Sequence, residues 1–101
     1  MYVEFIKYNL KEGVDLGQVE DVIVKAHKEF ISKQKGFICW ESLTSTDDSK
    51  IGADLLHWET LEDAMAAAET FMVDGNGQAL MALSDMGSVE MMHFEVLKKM
   101  E

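Results

Sequence analysis

A chain of 101 residues, 48% hydrophobic and 28% charged, has the size and balance of one globular domain over residues 1–101, with no room for a separate catalytic module. Nine Lys and Arg against nineteen Asp and Glu leave a net charge of −10, which repels phosphate backbones and anionic bilayers, so neither nucleic acid nor membrane is an expected partner. The pair Lys98 and Lys99 is too short a basic run to reverse this. Apolar runs such as Phe37 to Trp40 are far too short to span a bilayer, and the opening residues MYVEFIKYN alternate like a strand instead of carrying the regions of a signal peptide. With one cysteine, Cys39, no internal disulfide forms, which fits a reducing, cytoplasmic setting; Cys39 itself reads as a small buried filler.

Tyr2 to Leu10 alternates, with Tyr2, Glu4, Ile6, Tyr8 and Leu10 on one face and Val3, Phe5, Lys7 and Asn9 on the other. Its aromatic and β-branched content makes it a strand covered at least partly on both sides. After the break at KEGVD, Asp15 with Gln18 three residues on is a capping-box signature. Val19, Val22, Ile23, Ala26 and Phe30 then repeat at helical spacing, and Gly36 supplies the stop, giving an amphipathic helix of about five turns. Phe37 to Thr44 is a second strand, Ser45 to Lys50 is turn chemistry, and Ile51 to Glu59 is a third strand, so these two form a hairpin. Thr60 caps a second helix whose buried stripe is expected at Leu61, Ala64, Met65, Ala68, Phe71 and Met72. Asp74 to Gly77 ends it as a helix stop, Gln78 to Ser84 reads as a short extra helix, and Val89 to Leu97 as the fourth strand.

The order β-α-β-β-α-β predicts an α+β, ferredoxin-like fold, with both helices on one face of a four-stranded antiparallel sheet. The other face would then be bare. Whichever parity points outward, large apolar side chains lie there, a patch that two copies would bury by packing sheet on sheet. A two-fold homodimer is the expected assembly.

The junction HWETLEDAMAA (His57 to Ala67) and the closing HFEVL (His93 to Leu97), in this element order, resemble the dimeric α+β barrel superfamily, and within it the antibiotic biosynthesis monooxygenase group. The group's motif, W-x-[ST/D]-x-E-[AD]-A before the second helix, reads here as Trp58, Thr60, Glu62, Asp63 and Ala64 with a slight offset. The resemblance spans nearly the whole chain in architecture, while the motif is short and degenerate. It implies a homodimer with a pocket in each subunit between sheet and helices. Some members oxidise phenolic or quinol-like aromatics with oxygen and no metal or flavin, some degrade haem, and some have no known reaction. By this resemblance Trp58 lines the pocket, and Asp54 stands where the polyketide-oxidising members carry an Asn. Their pocket Tyr would fall near Ala64, and no Arg matches at the extra helix. The Asn and His of the haem-degrading branch would fall at Ile6 and Ala68, which disfavours that chemistry.

In the third strand Asp54, Leu56 and Trp58 share one face by the two-residue period, and by resemblance that is the pocket face. A mid-strand carboxylate under a helix costs several kcal/mol unless paired or hydrated, roughly, so Asp54 either does a job there or sits at an exposed strand end. His27, beside the first helix's buried stripe, and His93, mid-strand and in need of a partner, are further candidate bases near neutral pH; His57 adjoins the Trp. Asp54, His93 and His27 are therefore the catalytic candidates, each with an ordinary structural alternative, and Trp58, Leu56, Met65 and Phe30 the substrate-binding candidates. Core packing is the alternative for Trp58 and for the methionines on apolar stripes. No pair of His has metal-ligand spacing and no Gly-rich loop suits a nucleotide, so no metal or cofactor is expected. Two readings stand: a cofactor-independent monooxygenase of a small phenol, quinol or polyketide-like aromatic, and a non-enzymatic barrel that binds a small apolar molecule or serves as an assembly module.

Overall fold

Residues 1–101 are described by a computed structural model. The elements run β1 (Tyr2–Leu10), α1 (Leu16–Glu29), a 3-10 turn (Ile31–Lys33), β2 (Phe37–Thr44), β3 (Ile51–Trp58), α2 (Leu61–Phe71), α3 (Gly75–Leu83) and β4 (Ser84–Glu95). The strands form one antiparallel sheet in the order β2-β3-β1-β4, so each helix connection crosses over a strand, as the ferredoxin-like arrangement requires.

Local chemistry sets the boundaries. The Asp15 carboxylate accepts the Gln18 N–H at 2.8 Å, and the Gln18 side chain accepts the Asp15 N–H at 3.0 Å, which closes the capping box at the start of α1. Thr60 accepts the Asp63 N–H at 3.0 Å and starts α2. Gly36 takes φ of 79°, a left-handed turn that an L side chain resists, and a β-carbon there would also run into Asp63. Of the expected stripe, Val19 and Ala26 are buried along α1 and Phe30 at its end, while Val22 and Ile23 are partly buried.

Several boundaries and orientations differ from expectation. Helix α1 has 14 residues, about four turns, because the backbone leaves α geometry at Phe30 and tightens into the 3-10 turn. The DGNG segment does not simply stop α2: the Asp74 carboxylate accepts the Asn76 N–H at 2.9 Å, so Gly75 to Gly77 become the first turn of α3. Strand β4 starts at Ser84, not Val89, and ends at Glu95, because pairing with β1 continues past the register shift between Lys7 and Asn9. The buried side of α2 is Ala64 and Ala67, while Met65 is 56% exposed and Met72 is also exposed. Alanine on that side lets the helix backbone sit close to the sheet. Cys39 is exposed, not buried: after a register shift in β2 it pairs with His57 on the face that no helix covers.

One core cluster, around Phe30, Ile31, Leu56, Trp58, Ala64 and Ala67, ties the helices to β3. A second, of Tyr8, Leu10 and Val19, ties α1 to β1. Where α3 begins, a β-carbon on Gly77 would overlap the Phe71 carbonyl. Gly77→Ala is therefore expected to cost about 1–3 kcal/mol or more in chemical denaturation, since backbone has to shift to admit one methyl group.

Candidate functional site

The two-residue period of the strands decides which side chains face the helices. In β3, Gly52, Asp54, Leu56 and Trp58 are buried in strict alternation. In β1 the inward residues include Glu4, Ile6 and Tyr8. Between this face and helices α2 and α3 lies a cavity of about 220 Å³, roofed by Ala67, Ala68 and Phe71 of α2, by Met72 just after it, and by Leu80 and Met81 of α3. Trp40 closes it on the β2 side, and Val89 and Met91 on the β4 side. A wider depression of about 320 Å³ opens over Val19, Ile23 and Leu43, between α1 and the β2–β3 edge, but it contains no buried carboxylate.

Two carboxylates line the apolar cavity. Asp54 is 2% exposed and accepts the Trp40 indole N–H at 3.0 Å. Burial pushes its pKa above the ordinary 3.8, opposed in smaller measure by hydrogen bonding from Trp40, Ser42 and Tyr8. Glu4 is 3% exposed, and its Oε2 lies 3.3 Å from Nε2 of His93, the residue opposite it on β4. Burial raises the Glu4 pKa most, His93 and hydrogen bonding from Trp58 lower it, and the nearby charge of Asp54 raises it again. The phenol of Tyr8 is held protonated, first by burial and then by the Asp54 charge beside it. Trp58 is 1% exposed, and its indole N–H favours the Glu4 carboxylate without reaching full hydrogen-bond geometry, which leaves it a buried donor with no formal partner.

Asp54, Leu56 and Trp58 therefore meet in the cavity. His93 joins the site from behind Glu4 and does not line the hollow itself. Phe30 belongs to the core: it packs on the cavity-lining Phe71 with ring centroids 5.5 Å apart, one layer behind the wall. His27 is exposed, with its ring 5.7 Å from that of Phe37, and Met65 points to solvent, so neither reaches the cavity. His57 lies on the outer face, 3.8 Å from Glu41. Ile6 and Ala68 do line the cavity, and no histidine does. No three His, Cys, Asp or Glu side chains converge as a metal-ligand set.

Glu4, Tyr8 and Trp40 are among the cavity residues that sequence reading missed. Glu4 and Tyr8 carried a usable signal, since they share parity with Ile6 and Leu10 on one strand face. What was lacking was the strand order that sets Ile6 opposite Asp54 and Glu4 opposite Leu56. Tyr8 of β1 is the one tyrosine that lines the cavity.

No family model matches this chain, and no curated protein matches it in sequence. Solved structures do match it in three dimensions. SnoaB, a cofactor-independent oxygenase from Streptomyces nogalater, is 20% identical over 97% of this chain and 95% of that one, with a TM-score of 0.73. An antibiotic biosynthesis monooxygenase-like protein from Nitrosomonas europaea is 17% identical over 97% and 100% of the two chains, with a TM-score of 0.74. A mutant of MhuD, with two manganese protoporphyrin IX molecules bound per active site, is 17% identical over 100% and 99%, with a TM-score of 0.68. At these identities the likeness shows the fold: the chain has the ferredoxin-like α+β architecture of the antibiotic biosynthesis monooxygenase-like proteins.

The raised carboxylate of Asp54 has a consequence for stability. The folded state binds its proton more tightly than the unfolded chain, so this group's contribution is fully present below the unfolded pKa and is lost as pH rises through the folded one. Asp54→Asn keeps an acceptor for Trp40 and removes the buried charge. It is expected to raise Tm at pH 7 relative to the parent, with the gap closing below about pH 4, where the parent is protonated as well. Thermal melts of both proteins across that range check it.

Proposed function

We propose that this chain is a cofactor-independent monooxygenase of a small phenolic or quinol-like aromatic, with Asp54 as the base. The observation that carries the reading is a buried carboxylate, held by an indole N–H at 3.0 Å, inside an otherwise apolar hollow walled by Trp40, Trp58 and Phe71. Such a site has the parts that an electron-rich ring needs to react with oxygen: a base strengthened by burial, flat aromatic walls and little room for water. An engineered cavity of about 150 Å³ takes benzene, so a hollow of about 220 Å³, with Met72, Met81 and Met91 able to adjust at its border, suits a flat fused-ring aromatic. Asp54 removes a proton from the phenol or from a ring methylene that it activates. The resulting anion gives an electron to dioxygen, and coupling followed by loss of water converts the methylene to a carbonyl: CH₂ + O₂ → C=O + H₂O. The fold shared with SnoaB, described as a cofactor-independent oxygenase, supports the same reading. The open hollow is also what favours it over a pure assembly module, in which Met and Leu side chains would fill that space.

The second element of the proposal is a homodimer, and it includes a cytoplasmic setting, with which the free thiol of Cys39 is compatible. The uncovered face of the sheet presents Val3, Phe5, Leu55, Met92 and Phe94, of which Phe94 is 51% exposed. Face-to-face packing of two such sheets buries this surface and leaves each cavity on its own helical side.

Oxygen uptake with a panel of hydroquinones, naphthohydroquinones and anthrones tests the chemistry. Asp54→Ala is expected to lose roughly 100-fold or more of the wild-type rate, and Trp58→Phe to lose a smaller part, through looser orientation. An inactive wild type, or three equal rates, contradicts the reading. Sedimentation at micromolar concentration is expected to give a dimer, and Phe94→Asp to shift it toward monomer.

A further inference from the structure

The oxygenase reading uses one of the two buried carboxylates and leaves Glu4 and His93 without a task. Glu4 faces the same hollow as Asp54. Because Ile6 pairs with Asp54 and Glu4 pairs with Leu56, the two carboxylates are diagonal neighbours on the inner face, with α-carbons roughly 7–8 Å apart, so they can flank one reacting carbon. Their surroundings differ. Asp54 is met by three uncharged donors, from Trp40, Ser42 and Tyr8, and these favour its ionised form. Glu4 has His93 at 3.3 Å on one oxygen, the unsatisfied indole N–H of Trp58 nearby, and the charge of Asp54 acting on it. The helical layer above contributes only uncharged, apolar residues to the cavity, so no other titratable group faces it from that side. His93 is partly exposed at the edge strand and links Glu4 to solvent.

We propose that Glu4 is a second catalytic carboxylate, the proton donor to the oxygen adduct that Asp54 generates, and that His93 is its positioning residue. The inference rests on the oxygenase reading above. Two carboxylates kept in different environments divide into a base and an acid, because ionisation of one opposes ionisation of the other. Asp54 takes one hydrogen of the ring methylene as a proton. The carbanion passes one electron to dioxygen, and the carbon radical and superoxide couple to form the C–O bond. The peroxide anion takes the proton of Glu4. The Glu4 carboxylate then removes the second hydrogen of the same carbon; that C–H pair becomes the second C=O bond as the O–O bond breaks. The departing hydroxide takes the proton from Asp54 and leaves as water. Carbon loses four electrons, dioxygen gains four, and both carboxyl groups return to their starting states.

The test follows oxygen uptake, hydroperoxide and carbonyl product together, in the full chain, with anthrone, whose ring methylene is the carbon that becomes the carbonyl. Glu4→Gln, checked for folding by tryptophan fluorescence, is expected to form carbonyl product about 100-fold more slowly and to accumulate substrate hydroperoxide. His93→Leu removes a group that favours the Glu4 carboxylate, so Glu4 keeps its proton to higher pH. The falling, alkaline limb of the rate profile is therefore expected to move up, a shift that a merely structural histidine would not cause. Product formation by Glu4→Gln at the wild-type rate with no hydroperoxide, or a His93→Leu profile that superimposes on the wild type, overturns the assignment and leaves Asp54 as sole base. A wild type that takes up no oxygen overturns the oxygenase reading, and this assignment with it.

Discussion

The site depends on the placing of charge where water is scarce. Asp54 and Glu4 are carboxylates on the helix-covered face of the sheet, among Trp40, Trp58, Tyr8 and Ile6, and no Lys or Arg lines the hollow with them. Such groups are costly to bury, and the fold offsets part of the cost with an indole N–H for one and an imidazole for the other. The remainder appears as raised pKa values, which are the property a proton-transferring site requires.

The rest of the architecture holds that pair in place. Strand β1 lies between β3 and β4, so it brings Glu4 within reach of His93 on one side and sets Ile6 against Asp54 on the other. Alanines on the buried side of α2 let that helix lie close over Trp58 and Leu56. Gly77 lets α3 begin directly against the end of α2. Together these close the roof while leaving a hollow beneath it. The same alternation that turns Asp54 inward turns His57, Leu55 and Phe94 outward, so the inner site and the apolar outer face are two results of one periodicity.

Methionine gives the cavity border a different character from its floor. Trp58 and Asp54 are fully buried, whereas Met72, Met86 and Met91 reach the border from exposed positions. Unbranched thioether side chains at such places adapt to the outline of a ligand, while the aromatic floor fixes its plane. Under the proposed oxygenase reading, that division suits a substrate chosen for flatness and a dissociable proton more than for a particular outline.

Local signals determined much of this protein. The caps at Asp15 and Thr60, the turn at Gly36 and the alternation in β1 and β3 were readable because each depends on residues within a few positions of one another. They sufficed for the element order, the ferredoxin-like sheet and the shared face of Asp54, Leu56 and Trp58. Tertiary structure decided what depends on partners distant in sequence. Glu4 became a site residue because its neighbour is His93, and Tyr8 because it lies diagonally from Asp54 on the paired strand. Cys39 turned outward through a register shift, and His27 and Met65 fell outside because a helix stripe read to within one residue can still be rotated past the wall it was meant to line. Spacing along the chain specifies which residues share a face, but only strand order and register specify which faces meet.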